Sequence, residues 1–160
     1  MYLIRRNLRW DSVAIAATEV GLVFLVVGIA LGSIWGRVAW GIWWTWDARL
    51  TSTLFLWFIY VGYLVLRGAI DSPTLRARYS AILGALGALL IPFIHLSVYM
   101  FRTLHPRPII LKPDRPSLPG EMLTTMMFAL AAFTLLYVAF VRARYRLARE
   151  RDHLSPEADT

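Results

Sequence analysis

Hydrophobic and polar positions alternate along this chain in long blocks rather than residue by residue. Four apolar runs, each separated from the next by a polar segment rich in arginine, extend over residues 13–35, 50–66, 80–101 and 122–141. A helix of about 20 residues crosses the ~30 Å hydrocarbon core of a bilayer. Because a bilayer offers backbone amides no partner outside a helix or a closed barrel, and the runs lack the alternation of barrel strands, we expect helices. The pattern predicts an all-α membrane protein with four transmembrane helices.

Composition supports this class and excludes others. Of the 160 residues, 58% are hydrophobic and the mean hydropathy is +0.56, above the roughly 45–50% apolar fraction of an average soluble domain. The chain contains no cysteine. Disulfide scaffolds, thiolate metal sites, cysteine nucleophiles and thioether attachment of a cofactor to this chain are therefore excluded.

The positive charge predicts topology rather than a nucleic-acid partner. Lysine and arginine total 17, for a net charge of +7, and most of them flank the apolar runs, as charges that set orientation do. Eleven lie before the first run, between the second and third, or after the fourth, against six in the other two loops. We therefore expect both termini in the cytoplasm, with the loop after the first run and the loop at 102–120 facing outward. Residues 1–141 are interpreted as a transmembrane domain. Residues 142–160 are interpreted as a cytoplasmic polar tail that starts as a helix and frays after Pro156.

The loop between the first two runs, residues 35–47, has the highest tryptophan density of the chain. Five of the twelve residues at positions 35–46 are tryptophans: Trp35, Trp40, Trp43, Trp44 and Trp46. Indole rings favour the headgroup level, so an interfacial belt is one reading. However, a belt needs only one or two per helix end. Indole faces also offer stiff surface for stacking on a planar ligand, and we favour such a ligand platform.

Charged residues in and beside this loop have a structural and a functional interpretation. Asp47 suits the N-cap of the second helix and is expected to fix the loop. Arg49 can extend towards the headgroups. Alternatively, Arg37 and Arg49 pair with ligand carboxylates such as haem propionates.

Three histidines are candidate ligands. His105 lies just beyond the third run, on the predicted face of the tryptophan-rich loop, where a neutral imidazole could ligate iron or simply be solvated. His95 lies near the end of the same run and is expected to form a hydrogen bond to a neighbouring helix. His153, in the tail, is given no role.

Catalytic machinery is not apparent in the sequence. Glu19 is the one acid well inside a predicted span, and it requires water, a partner or a proton because a buried carboxylate is costly. There is no paired intramembrane carboxylate, nucleophile elbow or phosphate-binding loop. We therefore expect a protein that is not an enzyme.

The sequence around the tryptophans resembles a known family. Residues 40–52, Trp-Gly-Ile-Trp-Trp-Thr-Trp-Asp-Ala-Arg-Leu-Thr-Ser, are similar to the tryptophan-rich WD signature of the haem-handling proteins of cytochrome c biogenesis. The match is closest to the CcmC family (haem exporter protein C). It extends to Gly-Ser-Ile-Trp-Gly at 32–36, Tyr-Val-Gly at 60–62, Pro-Phe-Ile-His-Leu-Ser-Val at 92–98 and Thr-Leu-His at 103–105.

The resemblance implies a haem site at the outer face of the bacterial inner membrane. In that family the WD loop cradles b-type haem as a transient cargo, two histidines of outward-facing loops are its axial ligands, and a periplasmic chaperone, CcmE, receives it. The small subunit CcmD and the ABC-type pair CcmA–CcmB assist. By position, the platform would be Trp40, Trp43, Trp44, Trp46 and Asp47, with Arg49 beside it. His105 would be one axial ligand of the haem iron.

The chain also departs from the family pattern. Family members usually have six transmembrane helices, and residues 1–6 resemble the cytoplasmic end of the second. The resemblance thus implies that two helices and the other axial histidine precede this chain, through a start codon assigned internally or a true truncation; we favour the former. The function expected is haem binding and presentation for transfer to the chaperone. The alternatives are a larger haem-handling relative, a permease subunit of an ABC transporter and a structural assembly subunit without ligand.

Overall fold

The computed structural model describes residues 8–110, 112 and 116–154, and its regular structure there is entirely helical. In chain order the helices are α1 (Leu8–Trp40), α2 (Ala48–Ala69), α3 (Pro73–Met100) and α4 (Gly120–Leu154). All four are long and apolar enough to cross a membrane. The predicted class, an all-α membrane protein with four spans, is therefore confirmed. The cytoplasmic placement of the termini stays a prediction.

Helix α1 is longer than predicted, and this changes the tryptophan-rich loop. The helix spans 33 residues, about 50 Å at 1.5 Å per residue, and it ends at Trp40 rather than Trp35. Gly41 ends it, since its φ of +77° is a left-handed conformation that suits glycine, and its N–H donates to the Arg37 carbonyl (3.1 Å). Trp35, Arg37 and Trp40 are therefore helical, and the connecting loop is only residues 41–47.

Helices α3 and α4 also extend past their apolar runs. Helix α3 begins at Pro73, whose fixed φ and missing N–H suit a first helical turn. Helix α4 continues through the arginine-rich segment to Leu154, because arginine is a good helix former even where the chain is polar. The expected fraying after Pro156 lies outside the described residues.

Helices α2 and α3 form the closest-packed pair. Tyr60 of α2 lies over Gly87 of α3, where an added Cβ would come within 2.8 Å of the tyrosine ring. Ser80 and Ser97 of α3 are fully buried. Small residues at such a contact let two helix backbones approach, which is how helices associate in membranes.

Helix α4 is attached differently. Among the other helices, its described backbone approaches α1 alone. The Tyr137 hydroxyl donates to the Ala17 carbonyl (3.0 Å), and Arg144 forms an ion pair with Glu19 (Nε to Oε2, 2.5 Å). The intramembrane acid singled out in the sequence therefore has a partner, supplied by the segment that was expected to be a tail. A second ion pair, Arg67 with Asp11, joins α2 to α1.

Large apolar side chains cover the outside of the helices. Leu89, Phe128 and Leu135 are each at least 70% exposed, and the apolar part of α4 contributes nothing to the described core. Such a surface suits lipid rather than water. The chain is a multi-pass membrane protein.

Candidate functional site

Two loops meet at one end of the bundle through a contact between Asp47 and His105. The first loop, residues 41–47, joins α1 to α2, and the second, residues 101–119, joins α3 to α4. The Asp47 Oδ2 atom lies 3.0 Å from Nδ1 of His105, although 58 residues separate them in sequence. The predicted location of both loops at the same end is therefore found in the structure.

The Asp47 carboxylate accepts most of the hydrogen bonds at this contact. Its Oδ1 accepts from the Leu50 N–H (2.8 Å), so it caps α2 as its position predicted. Its Oδ2 accepts from the Thr103 hydroxyl (2.8 Å) and the Thr45 hydroxyl (3.3 Å). Burial alone would raise the pKa of Asp47, but the hydrogen bonds from Leu50, Thr103 and His105 outweigh it and lower that pKa below its ordinary value. The carboxylate is therefore charged at neutral pH.

Three contacts hold His105 in place, two of them through its imidazole ring. Its Nδ1 faces the Asp47 carboxylate, its backbone N–H donates to the Thr103 hydroxyl (3.1 Å), and its ring meets Trp40 edge to face, with centroids 4.9 Å apart. A charged carboxylate at Nδ1 favours the tautomer that carries its proton there. Nε2 then keeps its lone pair. The side chain is 16% exposed, so part of it remains accessible.

The tryptophans do not form one flat surface. Trp35 with Trp40 and Trp44 with Trp46 pack edge to face, at 80° and 79°. Trp40 and Trp44 are half-buried, whereas Trp43 and Trp46 are 59% and 75% exposed. Gly36 allows the loop to fold back, because a Cβ there would lie 3.3 Å from the Ile42 carbonyl. Trp43 and Trp46 in the loop, and Trp35 in α1 (54% exposed), have indole rings that are open to a planar ligand.

The two arginines near the loop have different surroundings. Arg37 donates from its guanidinium to the Gly41 carbonyl, so it caps the end of α1. Arg49 instead lines a cavity of about 550 Å³ together with His95, Arg107 and Met126, a volume within the ordinary range for small-molecule sites. Of the two predicted arginines, Arg49 is therefore the one that lines a cavity.

Sequence reasoning assigned no role to Thr103, which contacts both Asp47 and His105. A threonine two residues before a histidine often accepts a hydrogen bond from the histidine N–H. This spacing is the sequence feature from which the contact could be predicted. His95 lies in the cavity beside Arg49, not at Asp47. The side chain of His153 lies outside the described residues.

Known proteins similar to this chain share one description. The sequence profile of the family CcmC, "Heme exporter protein C", matches residues 1–156. Proteins of that name from Haemophilus influenzae and Bradyrhizobium diazoefficiens are 37% and 38% identical, over 83% and 90% of this chain and 54% and 55% of their own length. One from Escherichia coli is 43% identical over 62% of this chain and 41% of its own. The chain thus spans about half the length of the curated relatives it matches, and it belongs to the haem exporter protein C family.

Proposed function

We propose that this chain binds haem as a transient cargo at the outer face of the bacterial cytoplasmic membrane and presents it for transfer in c-type cytochrome maturation. The observation that carries the proposal is the Asp47–His105 pair beside the ring of Trp40. The similarity to proteins named heme exporter protein C supports the choice of cargo.

The pair has the chemistry of a histidine prepared for a metal. Histidines that ligate metals almost always donate their other ring N–H to a carboxylate, carbonyl or water, which fixes the tautomer and raises ligand basicity. Asp47 is placed to do this for Nδ1 of His105, so that Nε2 would be the axial ligand of the haem iron. This is a ligand set for b-type haem, consistent with a chain that has no cysteine.

The remaining site residues fit the other parts of the cargo. The exposed faces of Trp43 and Trp46 would stack on the porphyrin plane, while Trp40 and Trp44 support the loop. Arg49 would pair with a propionate at the edge of the cavity it shares with Arg107. A mostly open site, held by a few contacts of His105 and Thr103 with Asp47 and Trp40, suits a cargo that must leave again.

The test is haem titration of the purified chain in detergent, followed by its visible spectrum. We expect a Soret band that is lost in His105→Ala. We expect Asp47→Asn to bind roughly 10–100-fold more weakly, the usual effect of losing such an orienting partner. Asparagine keeps the N-cap of α2, so this variant removes the charge without removing the helix start.

Matched controls remove the same residue types elsewhere. His153→Ala and Trp10→Phe, at the other end of α1, should leave the titration unchanged, whereas Trp43→Ala with Trp46→Ala should weaken it. A Soret band that persists unchanged in His105→Ala and in the Trp43, Trp46 double variant would refute the site.

We further propose that the receiver is the periplasmic chaperone CcmE, with CcmD and the CcmA–CcmB pair as assembly partners. The indole rings of Trp43 and Trp46 are exposed at the loop surface, where such a receiver could contact them. Transfer from the haem-loaded chain to the purified chaperone can be followed by the shift of the Soret band. No shift at all, with haem stably bound to this chain, would contradict the delivery role while leaving the binding site intact.

A further inference from the structure

A second cavity lies at the end of the bundle opposite the tryptophan-rich loop. It has a volume of about 660 Å³, and all four helices contribute to it, with charged lining residues Asp11, Glu19, Arg67, Arg76 and Arg144. Three guanidiniums therefore face two carboxylates. Its chemistry differs from that of the site at the other end, because its described lining residues include no tryptophan or histidine.

Both carboxylates of this cavity are already paired. Asp11 accepts from both terminal nitrogens of Arg67, at 2.6 and 2.8 Å, in the bidentate geometry that guanidinium and carboxylate favour. Glu19 accepts from Arg144 at 3.0 Å. The two ion pairs leave Arg76 as the cation without a counterion among the described lining residues.

Arg76 also has an unsatisfied donor. Its Nε is buried and has no hydrogen-bond partner among the residues that the structure describes. A buried donor without a partner costs free energy, about 1–3 kcal/mol and more on a charged group. Together with the excess of one cation over the two carboxylates, this makes the Arg76 side of the cavity electrostatically complementary to an anion.

An apolar groove lies one to two helical turns from this cavity, towards the middle of the bundle. It has a volume of about 290 Å³ and lies between α4 and the other helices, among Gly21, Leu25, Leu56, Tyr60 and Tyr137. Tyr60 is one helical turn from Leu64, and Tyr137 two turns from Arg144, on faces that line the cationic cavity. The groove exists because the described backbone of α4 approaches only α1.

We propose that the cavity and groove together bind an anionic phospholipid. The phosphate would accept from Arg76 in the cationic cavity, and one acyl chain would lie in the groove against Gly21 and the two tyrosines. Basic pockets between membrane helices are suited to anionic lipid headgroups. A lipid satisfies the unpaired cation and the apolar groove at once, which a small soluble anion does not.

The test is native mass spectrometry of the full chain in neutral detergent, with added phosphatidylglycerol or phosphatidylcholine. Both lipids carry a phosphate, but the choline ammonium makes phosphatidylcholine net neutral and opposes the excess cation at Arg76. We therefore expect about tenfold tighter binding of phosphatidylglycerol, a difference of about 1.4 kcal/mol, and loss of this preference in Arg76→Gln. The matched control is Arg78→Gln, which removes an exposed arginine two residues away on the same helix and should keep the preference.

A second variant tests the groove separately. Gly21 has no atom within 4 Å of where its Cβ would lie, so Gly21→Leu should fold and fill the groove. We expect Gly21→Leu to weaken the binding of dioleoyl phosphatidylglycerol several-fold and to leave the binding of the short-chain dihexanoyl lipid unchanged.

Three outcomes would overturn the proposal. Equal losses in Arg76→Gln and Arg78→Gln would indicate diffuse surface charge. Displacement of the lipid by millimolar glycerol phosphate would indicate a soluble phosphate compound. Displacement by haem, dependent on Arg76, would indicate a carboxylate ligand instead.

Discussion

At the scale of single residues, one carboxylate performs two tasks. Asp47 starts α2 through Leu50 and ties the loop at 41–47 to the loop at 101–119 through Thr103 and His105. The same side chain thus sets a helix boundary and the orientation of the candidate ligand. A substitution that keeps the N-cap of α2 can therefore test the role of Asp47 in orienting His105.

The lowered pKa of Asp47 predicts how the contact responds to acid. A carboxyl whose folded pKa lies below its unfolded value stabilises the fold above the unfolded value, near 4, and this contribution is lost as the pH falls through the folded pKa. At about pH 5 we expect the thermal midpoint of the wild type to lie above that of Asp47→Asn. This difference in midpoint should narrow as the pH falls towards about 3. Thermal unfolding in detergent measures this.

The control for this prediction is Asp71→Asn, which changes an exposed carboxyl in the connection between α2 and α3. The thermal midpoint of Asp71→Asn should equal that of the wild type at every pH. A constant gap between wild type and Asp47→Asn down to about pH 3 would contradict the lowered pKa.

How far the sequence predicts the site depends on the range of each contact. The N-cap role of Asp47 follows from its position before an apolar run, and the shared end of the two loops follows from counting spans. The contact between Asp47 and His105 joins residues 58 apart, and no periodicity encodes which side chains meet across loops. The contact of Thr103 with Asp47, 56 residues away, is unpredictable for the same reason, whereas its contact with the His105 N–H is local.

At the scale of elements, the location of a helix and the position of its ends have different physical origins. The apolar runs locate all four helices, because burial in lipid selects them. Their ends were placed wrongly where a helix continues into polar sequence, as α4 does beyond Val141. Hydropathy reports the span, whereas caps such as Gly41 and Pro73 set the ends.

The close contact of α2 with α3 predicts a strong effect of one methyl group. In Gly87→Ala the new Cβ would meet the ring of Tyr60 at 2.8 Å, and overpacking of this kind costs about 1–3 kcal/mol. We expect a lower thermal midpoint that Tyr60→Ala partly restores in the double variant.

Gly84→Ala is the matched control, because its Cβ would lie 3.7 Å from Tyr63, an ordinary contact. It should leave the midpoint unchanged or raise it, since alanine favours helix over glycine. Equal losses in Gly84→Ala and Gly87→Ala would refute the steric explanation.

At the scale of the whole molecule, the two ends of the bundle carry different chemistry. One end has the aromatic loop with Asp47 and His105, and the other has the arginine-rich cavity around Arg76. The unequal distribution of arginine along the sequence already indicated two unlike ends. What it does not show is that Glu19 and Arg144 neutralise one another, because they lie in what looked like a span and a tail.

The Glu19–Arg144 ion pair has a consequence for synthesis. Glu19 enters the membrane 125 residues before its partner is made, and a charge at the centre of a lone helix costs up to about 3 kcal/mol on insertion. We expect chains ending at residue 119 to turn over faster in a pulse-chase experiment than the full chain, and Glu19→Gln to slow that turnover. Asp11→Asn should not slow it, because Arg67 is already present in the shorter chain, and equal rescue by both would contradict the prediction. The ion pair thus makes the membrane stability of the first helix depend on the synthesis of the last one.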